Sequence, residues 1–192
     1  MQSRRSIRRY QDRSVPDDSI RRLLDAAIWA PSAHNRQPWR FAVIVDPERR
    51  ASLAQAMGQP FRTDLEAEGL AAEAVEQQLT RSYQRISQAP ALILLFLSMT
   101  QMDQHSSLVR QQGERILAIQ SVALAAQNLI LAAHAEGLGA CWMCAPLFCP
   151  DVVRAELDLP ADWEAQALIT LGYPAQERVS ERDLVETKTL WY

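Results

Sequence analysis

APSAHNRQPWRF, residues 30–41, separates an amphipathic segment before it from an apolar run after it. Pro31 and Pro38 lack an amide proton and hold φ fixed, so no regular element runs through the stretch. Between them stand Ser32, His34, Asn35, Arg36 and Gln37, all hydrogen-bonding side chains. The expected product is a stiff polar loop between two buried elements, with backbone groups free to meet a planar polar ligand. An ordinary helix-to-strand connection is the alternative.

Upstream, Ile20, Leu23, Leu24, Ala27 and Ile28 recur at helical spacing within residues 17–29, behind Pro16 and two aspartates that suit a helix N-terminus. Earlier still, Arg4, Arg5, Arg8, Arg9 and Arg13 crowd one short segment of a chain whose formal net charge is −3. That overall balance argues against a general nucleic-acid binder, and a local cluster of this kind suits one small anion.

Downstream, residues 39–45 read as a strand, and Asp46-Pro47 starts a short helix that runs to about Met57 and closes at Gly58. Residues 59–89 form a polar, helix-prone excursion, either a lid or a solvated helical hairpin. Ala91–Leu97, ALILLFL, has the length and composition of a strand covered on both faces. Residues 116–133 form a long uncharged helix interrupted only by Gln120, Ser121, Gln127 and Asn128. These side chains and the flanking charges argue against a membrane span, so the helix needs cover all round, part of it from a second subunit.

Gly137 is placed to cap that helix, Gly139–Met143 to form a strand, and Pro146 and Pro150 to bracket a rigid loop before a short helix through Leu157. Ala165–Leu171 supplies a further strand. The tail at 174–192 is charged and ends in Trp191-Tyr192, which either pack on a neighbour or fray. Alternating helices and apolar strands indicate an α/β or α+β layer fold with the strand order open.

The 192 residues fit a single domain spanning 1–192, with 48% hydrophobic and 22% charged residues, a soluble globular balance. The basic N-terminus has no apolar core behind it, which places the protein in the cytoplasm. Cys141 and Cys144 are spaced like a metal or redox pair. On a strand, however, residues three apart face opposite sides, and no second pair completes a tetrahedron, so no metal is expected. With three histidines and no motif that carries its own chemistry, any enzyme activity depends on a bound organic cofactor. His34 alone lies near the polar constellation, as a hydrogen-bonding group or an acid–base residue. Arg4, Arg5 and Arg8 with Ser6 suit a phosphate, and Ser32 and Asn35 a polar ring system, which together describe a mononucleotide-like ligand.

RRSIRRY, APSAHNRQPWRF, AAQNLILAAHAEGLGACW and the 145–148 turn, in this order, resemble the FMN-dependent nitroreductase family over almost the whole chain. Residues 148–164, FCPDVVRAELDLPADWE, further resemble the flavin-binding C-terminal domain of the bifunctional actinobacterial gamma-glutamyl ligase that completes a deazaflavin coenzyme. The resemblance implies an α+β three-layer sandwich, its central and mostly antiparallel sheet flanked by helices, in an entwined homodimer with two interface active sites. It implies FMN held through Arg4, Arg5, Ser6 and Arg8 of one subunit and Pro31, Ser32, Ala33 and Asn35 of the other. Pro146 and Leu147 would lie by the flavin ring, and Lys188 would add a late phosphate contact. His34, Asp64 and Phe148 would meet the acceptor. Phe148 and Cys149 depart from the acidic residue and glycine of the familiar bacterial enzymes.

The implied activity is hydride transfer from NADH or NADPH to a nitroaromatic, quinone, enone or deazaflavin-like acceptor, by a ping-pong cycle and with no catalytic side chain. A flavin or deazaflavin carrier that binds without turnover is the alternative, and flavin fragmentation is a third reading.

Overall fold

A computed structural model describes residues 1–192. Helix α1 (Asp17–Ile28) leads through a single turn at Ala33–Asn35 into β1 (Trp39–Ile44), and α2 (Pro47–Ala67) and α3 (Ala72–Ser87) then form a helical hairpin. There follow β2 (Ala91–Leu97), α4 (Leu108–Ala135), β3 (Gly139–Met143), a turn at Ala145–Phe148, α5 (Pro150–Glu156) and β4 (Glu164–Gly172). The four strands pair in the order β1-β2-β4-β3, and every pairing is antiparallel. This is the expected α+β class.

The alternation along β2 builds three layers from one strand. Ala91, Ile93, Leu95 and Leu97 face a core shared with α1 and α4, while Leu92, Leu94 and Phe96 face a second core shared with α2 and α5. Every residue of β2 is buried, as an uninterrupted apolar run requires at the centre of a two-sided sheet. A bulge opposite Leu95 and Phe96 shifts the register of β4 around Gln166 and keeps both faces apolar beyond it.

Two boundaries differ from the sequence reading. α2 does not close at Gly58 but continues through it and through Pro60 to Ala67. Leu53, Ala54, Met57 and Leu65 are buried along its length, so packing outweighs the local breaking tendency of glycine and proline. The helix ends instead at Gly69, whose φ of +76° is available to glycine at little cost, with the Leu70 amide reaching back to the Leu65 carbonyl. α4 starts at Leu108, eight residues before the apolar run, because polar side chains on its outer face do not interrupt its backbone hydrogen bonds. Asp46 caps α2 as expected, accepting the Arg49 amide at 2.8 Å.

α4 packs its buried face, including Ala118, Val122, Ala125, Ala126, Leu129 and Ala133, into the first core. It is long enough to cross a membrane, and an 18-residue stretch of it is apolar enough by composition, with a mean hydropathy of 1.8, yet its buried face belongs to the protein interior. The opposite face is uncovered in one chain: Val109 is 78% exposed, Ile116 53% and Leu124 45%.

Residues 4–10 run along β3 as an extra extended segment. The Ile7 amide bonds the Ala140 carbonyl, and Ser6 bridges Ala140 in parallel. Tyr10 anchors the segment's end, donating its hydroxyl proton to the Ile7 carbonyl at 2.6 Å and accepting from the Thr170 hydroxyl at 2.7 Å. Burial pushes its ionisation well above the usual 10.0, outweighing the Thr170 hydrogen bond that acts the other way. The folded chain therefore holds a proton that the unfolded chain releases. This contribution is complete below about pH 10 and is lost as pH rises toward the folded value. Tyr10→Phe is expected to cost about 1 kcal/mol at pH 7. It should also flatten the fall of the urea midpoint between about pH 10 and 12 relative to the parent; parallel pH curves would contradict this.

Candidate functional site

The extended 4–8 segment turns its arginines into different spaces. Arg4 and Arg5 share a cavity of about 380 Å³ with Ser3, Ile7, His134 and the start of β3, closed on one side by residues 174 and 176–179. They also border a second space of about 470 Å³ with Gln127, Ser180 and Arg182. Arg5 is braced by the backbone, donating to the carbonyls of Gln2, Arg4 and Ser180. Its Nε is buried with no partner in the chain. The Arg4 guanidinium, half-buried beside it, makes no hydrogen bond within the protein. A braced Arg5 and a free Arg4, both with unmet donors, can receive an anion such as a phosphate.

Arg8 does not share these two spaces. It lies in a separate cavity with Arg85 of α3 and Arg178 of the tail. Lys188 pairs with Asp183 of its own tail at 2.8 Å and borders neither space around Arg4 and Arg5. The late cations that border those spaces are Arg178 and Arg182, which sequence reading missed. No local pattern marks them, because they meet the N-terminal segment only through the fold.

The 30–41 stretch is stiffer than two prolines alone would make it. His34, Asn35 and Gln37 all adopt left-handed backbone, at φ of 49°, 54° and 49°. Such conformations cost of order 1 kcal/mol or more each for residues with a side chain, Asn least. Internal bonds hold the turn: the Ser32 hydroxyl accepts the Gln37 amide at 3.1 Å, and the Ala33 amide reaches Ser121 of α4 at 3.2 Å. Arg36 pairs with Asp103. Pro31, His34 and Asn35 are exposed, and Ser32 and Ala33 half-buried. Neither cavity that holds Arg4 and Arg5 includes any residue of this loop. Within one chain the arginines and the polar loop thus line different spaces.

The turn at 145–148 follows β3 directly, with Pro146 buried, Leu147 46% exposed and Phe148 73% exposed. Asp64, on the C-terminal half of α2, lies close enough to raise the Cys149 thiol pKa, adding to burial as the main cause. The fold therefore brings Asp64 to the turn that carries Phe148. The Cys141 thiol is pushed up by burial, against the pull of Arg8 and Arg85. Cys141 is buried and Cys144 exposed, with the Trp142 indole donating to the Cys144 sulfur at 3.0 Å. The two sulfurs face different surroundings, as alternation along a strand requires.

Known proteins resemble this arrangement over nearly its whole length. The description "Nitroreductase family" matches residues 1–173. An NADH dehydrogenase of Thermus thermophilus is 34% identical over 98% of this chain and 92% of its own length. A 5,6-dimethylbenzimidazole synthase of Rhodospirillum rubrum is 30% identical over 92% of this chain and 81% of its own. Among solved structures, one from Desulfovibrio desulfuricans, described as a nitroreductase in complex with FMN, superposes with a TM-score of 0.74 at 31% identity. It covers 99% of this chain and 92% of its own. On the extent of that match and the shared fold, the chain belongs to the nitroreductase family.

Proposed function

We propose that the protein is an FMN-dependent oxidoreductase that takes hydride from NADH or NADPH and passes it to an organic acceptor. The observation that carries this reading is the pair Arg4 and Arg5, with a buried Arg5 Nε left unpartnered beside a cavity of about 380 Å³. The FMN in the Desulfovibrio relative and the name of the Thermus relative support it. Bound FMN would supply the two-electron chemistry, which no side chain here provides.

The chain's own residues do the positioning. Arg4 and Arg5, joined by Arg178 and Arg182 of the tail, would hold the phosphate, with Ser6 and Arg8 flanking the rest of the flavin's polar tail. Pro146 and Leu147 would lie by the ring, where the rigid turn, held by the Leu147 amide on the Cys144 carbonyl, excludes water. Ser32, Ala33 and Asn35, on a loop already fixed by its own bonds, reach the ring from a second copy of the chain. Two observations support the homodimer: no residue of the loop lines the arginine cavities, and α4 leaves an apolar face uncovered. His34, Asp64 and Phe148 border the space left for the acceptor. Nitroaromatics, quinones, enones and deazaflavin-like molecules are all candidates, the last favoured only by the likeness at residues 148–164.

The test is direct. Purified protein titrated with FMN should bind about one flavin per chain and then oxidise NADH or NADPH when a quinone or nitroaromatic is present. Binding without turnover in an acceptor screen would leave the carrier reading, and no flavin binding would end both. The likeness to a dimethylbenzimidazole synthase favours flavin breakdown as a second reading. Recovery of intact FMN after many turnovers under oxygen excludes it.

A further inference from the structure

The one charged side chain among the buried residues is Glu114, in the second turn of α4 and 4% exposed. A carboxylate taken out of water is costly unless the fold gives it partners. One oxygen of Glu114 accepts the Asp103 amide at 3.2 Å, and the other lies 3.6 Å from Nε2 of His105. Gln111, three residues earlier on α4, accepts the His105 amide at 2.9 Å. The start of α4 therefore holds the connector from β2 by two of its backbone amides. Asp103, fixed in this way, pairs its own carboxylate with Arg36. Arg36 stands between Asn35 and Gln37, two of the three left-handed residues of the 30–41 stretch.

Ser121 follows Glu114 by seven residues, which puts both on one face of α4, and it accepts the Ala33 amide at 3.2 Å. α4 thus grips the turn at two points: directly at Ala33, and at Arg36 through Glu114 and Asp103. Left-handed backbone at residues with side chains persists only where its surroundings over-determine it. The Arg36–Asp103 pair does not suffice alone. Its side chains are 43% and 38% exposed, and such a pair contributes little unless one partner is already held. Glu114 supplies that hold. We propose that Glu114 is a positioning residue for the acceptor side of the site, keeping the 33–37 turn, through Asp103 and Arg36, in the conformation that presents His34 and Asn35. What the turn meets, the flavin and acceptor of a second chain, rests on the functional reading above; what holds the turn rests on these contacts. Loss of Glu114 should therefore weaken the grip on the acceptor and leave the flavin's own chemistry in place.

The experiment compares the parent with Glu114→Ala, Arg36→Gln and the double variant in two readouts. In the flavin-free protein, the Ala33 and Gln37 amides, followed by NMR, should exchange with solvent at least tenfold faster in each single variant, with β2 and β4 unchanged. In the FMN-loaded protein at saturating NADH or NADPH, the KM for a quinone should rise at least fivefold while kcat stays within twofold. The two residues act along one path, so the double variant should match the more affected single variant in both readouts. Glu114→Gln keeps an oxygen for the Asp103 amide and should behave as the parent. If Glu114→Ala does not fold, Glu114→Met, of similar length and without that oxygen, takes its place. Exchanging the pair, Arg36→Asp with Asp103→Arg, should restore the KM that Arg36→Asp alone loses. Unchanged exchange at Ala33 and Gln37 overturns the proposal. So does a fall in kcat at constant KM, the sign of protein lost to unfolding, and so do additive effects in the double variant. If the chain takes up no flavin, the functional reading fails, and the exchange rates alone decide whether Glu114 holds the turn.

Discussion

Arg4→Ala is expected to weaken FMN binding by about 10- to 100-fold and to leave riboflavin binding unchanged. A hydrogen bond to a charged group contributes about 1.5–3 kcal/mol, and each 1.4 kcal/mol is a factor of ten in affinity. Arg4 isolates this effect well, because its guanidinium makes no bond inside the protein and its loss leaves no internal partner stranded. Arg5 would be a poorer probe, since it also braces Gln2, Arg4 and Ser180. Quenching of flavin fluorescence gives both affinities, and Lys188→Ala provides a control expected to match the parent. An equal loss for FMN and riboflavin, or no loss for either, would remove the phosphate from this cavity.

Leu124→Glu should convert a dimer into monomers and carry flavin binding away with it. Leu124 is 45% exposed on a face of α4 that also shows Ile116 and Leu117, an apolar stripe with no cover in one chain. A carboxylate placed in such an interface is left unpaired and dry, which costs about 3 kcal/mol or more per site. Association should fall by a factor of a hundred or more. Sedimentation at micromolar concentration checks the assembly, and the flavin absorbance travelling with the protein checks the site. A parent that sediments as a monomer, or a variant that keeps both dimer and flavin, would overturn the two-chain site.

The strands and the first helix were readable from residues alone because each carries its information within a few positions. The apolar run 91–97 has the length and composition of a strand buried on both faces, and β3 and α1 lie where Pro, Gly and the periodicity place them. The polar loop was readable for the same reason, although its three left-handed residues were not. Nothing in His34 or Gln37 marks a positive φ, which is imposed by the bonds to Gln37 and Ser121. α2 misled because glycine and proline are local signals, while the burial that carries the helix past them is not local.

The site divides the same way. The N-terminal arginines stood out as a cluster in the chain, and the family likeness attached a flavin to them. Their division into two spaces follows from the extended path of residues 4–10 along β3, which carries Arg8 away from Arg4 and Arg5. Arg178 and Arg182 joined them only because the tail folds back, with Arg5 bonding the carbonyl of Ser180 across 175 residues. Sequence by itself determined the elements, their alternation and the polar chemistry on offer, since helix and strand periods, caps and turns act over a few residues. The tertiary structure alone decided the strand order, the path of α2 and which cations share a cavity, because those depend on packing summed over the whole chain.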